Sequence, residues 1–153
     1  MKIEKMTEAH RAAVLAMMRV FYTSDAVSTN GSEEIFARDI DACTQENPYA
    51  EGFVFIEEGK TVGYAMLAKS FSTEFGLPCV WIEDLYFLEA YRGRGFGSAF
   101  FAHLEKSFPD CIFRLEVEEE NEGAVHTYIK NGFDTLPYME MKKIYMTHKE
   151  KKE

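Results

Sequence analysis

The sequence predicts a mixed α/β fold, for three reasons: two stretches of helical period come first, three strand-like runs follow, and a glycine-rich turn then opens an alternation of helix and strand. The predicted order is ααβββαβαβ, preceded by an optional short N-terminal strand. From Thr7, a suitable N-cap, the apolar residues Val14, Met17, Met18 and Phe21 recur at helical spacing. A Ser, Thr, Asn and Gly-rich loop runs from Thr23 to Gly31, and Ser32 opens a second helical pattern with Ile35, Phe36, Asp39 and Ile40. After Asn47-Pro48 the period changes. Gly52 to Ile56 and Thr61 to Ala68 form a β-hairpin about the turn Glu57 to Lys60, and a loop through Ser72 to Pro78 leads to a central strand, Val80 to Leu88. The helix beyond the glycine turn carries Phe96, Ala99, Phe100, His103, Leu104 and Phe108 on one face, and Pro109-Asp110 ends it. Ile112 to Val117 is the next strand, Asn121 caps a helix through Lys130, Gly132 stops it, and Tyr138 to Ile144 is the last strand.

The chain has 153 residues, 46% of them hydrophobic, which suffices for one sizeable core and is too short for two ordinary domains. One domain over residues 1–147 is expected, with a charged, frayed tail from His148 to Glu153. Seventeen Lys and Arg against 26 Asp and Glu leave a formal charge of −9, which disfavours nucleic acid and anionic membranes as partners and suits a cationic one. Cys43, Cys79 and Cys111 lie far apart with no metal-site spacing, so no metal is expected and the thiols read as reduced. With neither a bilayer-length apolar run nor a signal-peptide core, the expected location is cytoplasmic.

The most informative segment is Tyr91-Arg92-Gly93-Arg94-Gly95-Phe96-Gly97-Ser98, between a buried strand and an amphipathic helix. Glycines let the backbone turn sharply against a ligand, and a new helix presents unpaired N–H groups and a positive dipole end. Arg92 and Arg94 add charge suited to phosphate. A dinucleotide fingerprint fits less well, because Ser98 or Phe100 stands where its third glycine belongs, and there is no Gly-Lys-Ser/Thr for a Walker loop. A glycine turn that only joins strand to helix explains one or two of these residues, but not three glycines with two arginines.

Here the sequence resembles the GCN5-related N-acetyltransferase (GNAT) family, whose pyrophosphate-binding pattern, Arg/Gln-x-x-Gly-x-Gly/Ala, reads Arg92-Gly93-Arg94-Gly95-Phe96-Gly97 in this chain. A second match runs from Asn121 to Phe133, with Ala124, Tyr128 and Gly132 at the family's spacing. The acidic strand Ile82-Glu83-Asp84-Leu85-Tyr86 followed by Tyr91-Arg92-Gly93 is similar to the diamine acetyltransferase branch. The resemblance implies a central mixed sheet of six to seven strands flanked by four helices, acetyl-CoA as cosubstrate, and a homodimer. It places the cosubstrate in a V-shaped opening beside the central strand, with its pantetheine arm on backbone groups of Leu85, Tyr86 and Phe87, a free N–H near Phe87 for the thioester oxygen, and pyrophosphate on Arg92, Gly93, Arg94, Gly95, Phe96, Gly97 and Ser98.

The expected reaction is direct attack by an amine. A primary amine of pKa about 10.4 is free base only about once in 2,500 molecules at pH 7, so a proton acceptor matters. The resemblance makes Glu83 the candidate, directly or through water. Neighbouring strand residues point to opposite faces, so Glu83 and Asp84 share a cleft only if a bulge intervenes; structural pairing of both with cations is the alternative. Tyr128 shares a helix face with Asn121 and Ala124, and its phenol is the implied proton donor to the departing thiolate; its alternative is an aromatic anchor. Asn121 serves the cofactor, the helix cap or both. His103 reads as packing. Tyr22 with Glu83 and Asp84 is assigned to the acceptor, bordered by Asp25, Phe71 and Glu74. The predicted protein is therefore an N-acetyltransferase for a small, polyamine-like or peptide-borne amine. Its rivals are an acyl-CoA-sensing module without chemistry, an acetyltransferase of peptide N-termini or lysines, and a nucleotide binder.

Overall fold

The computed structural model describes residues 1–27 and 31–146. Ser28 to Asn30 of the predicted loop, and the tail from His148, lie outside the described residues. The optional first strand is present as β1 (Lys2–Lys5). One 3-10 turn, Glu8–His10, then leads into α1 (Arg11–Phe21), followed by α2 (Glu33–Thr44), β2 (Ala50–Glu57), β3 (Lys60–Ser72) and β4 (Leu77–Phe87). A second 3-10 turn, Glu89–Tyr91, precedes α3 (Phe96–Ser107), β5 (Ile112–Leu115) and α4 (Glu122–Lys130).

The strands lie in sequence order, β1-β2-β3-β4-β5. The first three pairings are antiparallel; β4 and β5 are parallel, and α3 makes the crossover that parallel neighbours need. Because side chains alternate along a strand, the sheet carries a core on each face. Val14, Met17 and Met18 of α1, with Phe36 and Ile40 of α2, pack on Val54, Tyr64, Met66 and Tyr86. On the other face Phe100, Phe101 and Leu104 of α3 meet Phe53, Phe55, Val62, Ala65, Leu67, Val80 and Ile82. Fully buried members such as Ile40 and Phe100 each contribute about 1.5–3 kcal/mol. The Ser32 hydroxyl accepts from the Ile35 N–H (3.3 Å), and Glu33 and Glu34 occupy the first turn, so α2 starts where the sequence places it. Gly63 cannot be replaced without movement, since a Cβ there would lie 2.5 Å from the Tyr86 carbonyl oxygen.

One predicted element does not form. Residues 133–146 carry neither helix nor strand, so among the described residues the sheet has five strands rather than six or seven, and the expected strand Tyr138 to Ile144 is absent. Its side chains explain why. Tyr138, Met139, Met141, Ile144 and Tyr145 are all exposed, so the apolar residues fall on both faces of any strand made from them, which suits an interior position rather than an edge. The neighbouring edge, β5, is only four residues long, and Glu140 of the segment meets Glu116 just beyond it.

Candidate active site

The register of β3 against β4 shifts between Met66 and Leu67, with Met66 opposite Asp84 and Leu67 opposite Ile82. Glu83 is therefore the extra, unpaired residue of a β-bulge. Ile82 belongs to the α3 face, so Glu83 falls on the α1–α2 face; Asp84 is on that face too, because it meets Tyr22 and Tyr64. The condition for the two carboxylates to share a cleft is met.

Pairing between β4 and β5 ends at Ile82 and Leu115, just before the bulge, and the strands separate beyond it. The Leu88 N–H donates to the Val62 carbonyl (2.9 Å), which sets the phase of the ladder: Tyr86 exchanges bonds with Tyr64 and Asp84 with Met66. The N–H and C=O groups of Leu85 and Phe87 consequently point away from β3, into the opening. The Tyr86 backbone is committed to the sheet, and its ring packs on the α1 side, 5.6 Å from Phe21.

At the end of β4 the Arg92 Nε donates to the Phe87 carbonyl (2.9 Å), and its guanidinium lies 5.3 Å from the Tyr86 ring centre. Arg94 lies over Tyr91, 4.9 Å from the ring centre. Gly93 and Gly95 have φ of 69° and 77°, a region that penalises any side chain, and a Cβ on either would meet no atom within 4 Å. The result is an open backbone cradle at the start of α3, in which the amides of Gly93 to Ser98 have no hydrogen-bond acceptor among the described residues. Ser98 accepts from the Asn131 side chain (3.0 Å), which ties the first turn of α3 to the end of α4; Asn131 was not singled out by the sequence. Asn121 caps α4 by accepting from the Ala124 N–H (3.3 Å). Tyr128 sits edge-on to Phe101 and Phe133, both 5.9 Å away between ring centres, and lines the cavity beside the opening. Burial raises its pKa, which keeps the phenol protonated at neutral pH.

That cavity measures about 1750 Å³ and also takes in Tyr22, Asp39, Trp81, Glu83 and Asp84. Asp84 is only 4% exposed; its two oxygens accept from the Tyr22 and Tyr64 hydroxyls, each at 2.8 Å. Burial raises the Asp84 pKa against the opposing effect of these two bonds. Glu83 is also raised, by burial first and then by the charges of Asp84 and Glu140. Asp39 is pushed up to about 6 by burial and by Asp84 and Glu83, and Glu116 to about 7, chiefly through its hydrogen bond with Glu140. Asp39 was missed as a site residue, although an acid beside Phe36 and Ile40 on an apolar helix face was a usable signal. His103 packs edge-on to Phe53 (5.5 Å), as expected of a structural histidine.

Tyr64→Phe tests the buried network. It leaves one Asp84 oxygen without a donor in a dry position, so unfolding measurements should show a loss of about 1–3 kcal/mol, with a smaller loss for Tyr22→Phe at the half-buried rim. Equal losses would contradict this geometry.

The family model described as Acetyltransferase (GNAT) family matches residues 15–133. The chain belongs to the GNAT acetyltransferase family. No curated protein matches it. Among solved structures, a possible acetyltransferase from Clostridium difficile 630 superposes with a TM-score of 0.76 at 17% identity, over 96% of this chain and 98% of the other. AAC(6')-Iy in complex with the bisubstrate analogue CoA-S-monomethyl-acetylneamine gives 0.73 at 15%, over 95% and 98%. The apo aminoglycoside 6'-N-acetyltransferase AAC(6')-IG from Acinetobacter haemolyticus gives 0.71 at 19%, over 97% and 99%. As a GNAT enzyme the protein is an N-acetyltransferase with acetyl-CoA as cosubstrate. The residues present fit that molecule: the open glycine cradle with its free amides and two arginines suits a pyrophosphate, and the free N–H and C=O of Leu85 with the free N–H of Phe87 suit an amide-bearing arm.

Proposed function

We propose that this GNAT enzyme, a single catalytic domain over residues 1–147, acetylates a primary amine by direct attack in a ternary complex. The observation that carries the reading is the bulge at Glu83, which puts a carboxylate of raised pKa on the acceptor side of β4 immediately before the strand whose free backbone groups face the opening. When bound, acetyl-CoA supplies the activated acetyl group. Arg92, Gly93, Arg94, Gly95, Phe96, Gly97 and Ser98 hold its phosphates, and Leu85 and Phe87 hold its arm, with Asn121 and Tyr128 along the other wall. Glu83 takes the proton from the acceptor ammonium. The Phe87 N–H faces the opening where negative charge grows on a carbonyl oxygen, and Tyr128 returns a proton to the departing sulfur. Asp84 is the weaker base candidate, because both its oxygens are held by tyrosines.

A small, polyamine-like acceptor is favoured over a peptide N-terminus or lysine. Asp39, Glu83, Asp84, Glu116 and Glu140 line the cavity, and Arg114, stacked 4.4 Å from the Trp81 ring centre, is its one cation among the described residues. Two of the structurally similar proteins carry AAC(6') names, one of them bound to a CoA–amine adduct, which supports an amine acceptor. The three free cysteines support a cytoplasmic location, and a homodimer is the expected assembly. Thermal-shift measurements should show stabilisation by acetyl-CoA and not by ATP or NAD, followed by thiol release with diamines. Binding without turnover on diamines, amino acids, aminoglycosides or peptides would favour a sensor and sink the catalytic reading.

A further inference from the structure

We propose that Arg114 is a carboxylate-binding residue of the acceptor site, and that the preferred acceptor is a free diamino acid acetylated on its side-chain amine. The inference rests on the reading of Glu83 as the base at the reacting nitrogen. The chain has six arginines. Arg11, Arg19 and Arg38 are ion-paired with carboxylates, and Arg92 and Arg94 belong to the glycine cradle. Arg114 is left. It lines the cavity, its guanidinium lies 4.4 Å from the centre of the Trp81 ring, and its side chain makes no ion pair or hydrogen bond among the described residues. A guanidinium resting on an aromatic ring is held in place with its N–H donors unspent, which suits a two-point grip on a carboxylate. A structural counter-ion would instead touch one of the surrounding acids, whereas Arg114 acts on Glu116 only through its field.

Register fixes where this group stands relative to the chemistry. Arg114 pairs with Trp81, two residues before Glu83 on β4. Ile82 between them faces α3, so Trp81, Glu83 and the stacked Arg114 share the α1–α2 face. Two residues along a strand and one strand across set the two positions roughly 8 Å apart. An α-amine sits beside its own carboxylate and cannot reach from Arg114 to Glu83. An amine at the end of a short methylene chain can. The α-ammonium of such a molecule then falls toward Glu116 and Glu140, two acids that meet each other and whose repulsion an ammonium relieves. A diamino acid therefore keeps both cations of a diamine and adds the anion that Arg114 is free to hold. A lysine within a peptide has no free carboxylate and gains nothing from Arg114.

Steady-state kinetics with acetyl-CoA test this by comparing lysine with cadaverine and ornithine with putrescine. Each diamine retains both amines of its partner and lacks only the carboxylate. In at least one pair the wild type should favour the diamino acid in kcat/KM by about tenfold or more, and Arg114→Gln should bring that ratio to one or below. The ratio is taken on one preparation, so partial misfolding of the variant leaves it unchanged. Enantiomers separate a specific grip from general attraction. They carry the same charges, so a field treats them alike, but a carboxylate held at a fixed point makes the wild type prefer one enantiomer of the better diamino acid, and Arg114→Gln should erase that preference too. Diamino acids no better than their diamines, a ratio that survives Arg114→Gln, or equal use of the enantiomers would each overturn the inference while leaving amine acetylation standing. No turnover of any amine would remove the acetylation reading and this inference together.

Discussion

Glu83→Gln should lower kcat/KM for amine acceptors by about 100- to 1,000-fold while acetyl-CoA binding is retained. The substitution keeps the shape of the side chain and removes only its capacity to accept a proton. The pH dependence gives the decisive signature. A base works when ionised, and the Glu83 pKa is raised by burial and by the neighbouring acids Asp84 and Glu140. The acidic limb of the wild-type profile should therefore lie above the ordinary glutamate value, with activity falling as pH drops through it, and the variant should lose that limb. Adding Tyr128→Phe should reduce kcat further without altering the packing against Phe101 and Phe133, since only the hydroxyl is removed. Unchanged turnover in the double variant would remove both residues from the chemistry. If Asp84→Asn erased the limb instead, the base would be Asp84.

Gly95→Val should abolish the thermal stabilisation by acetyl-CoA and weaken its binding at least about tenfold. Two effects act together. At φ of 77° a β-branched side chain costs roughly 1–2 kcal/mol or more, and its methyl groups project into the space that the cradle keeps open. The affected amides sit at the N-terminus of α3, where displacement removes donors and dipole from the same anion. The apo protein should lose only modest stability, because nothing packs against this glycine. Preserved binding in a folded variant would place the cosubstrate elsewhere.

How much of this was legible in the sequence depends on the range of each interaction. The glycine turn, the Ser32 and Asn121 caps and the apolar helix faces are local, and each formed where its residues predicted. The bulge was visible only as a condition, because register is a property of two strands and neither β3 nor β4 alone announces the extra residue. The same holds for the separate fates of Leu85, Tyr86 and Phe87: alternation is readable, but its phase is set by the bond from Leu88 to Val62. Asp39 was hidden among helix-face residues because its significance comes from Asp84, 45 positions away in the chain. The last predicted strand failed for the opposite reason. Its composition favours a strand, but nothing in a local pattern says whether a partner edge exists.

The bulge has one more consequence. Glu83 sits opposite nothing in β3, and its two neighbours already face opposite sides of the sheet, Ile82 toward α3 and Asp84 toward α1 and α2. Removing residue 83 would turn β4 into an unbroken strand with every other side chain still on its own face. The carboxylate assigned to the chemistry thus occupies a position surplus to the architecture, so a single-codon deletion could separate the enzyme from its scaffold.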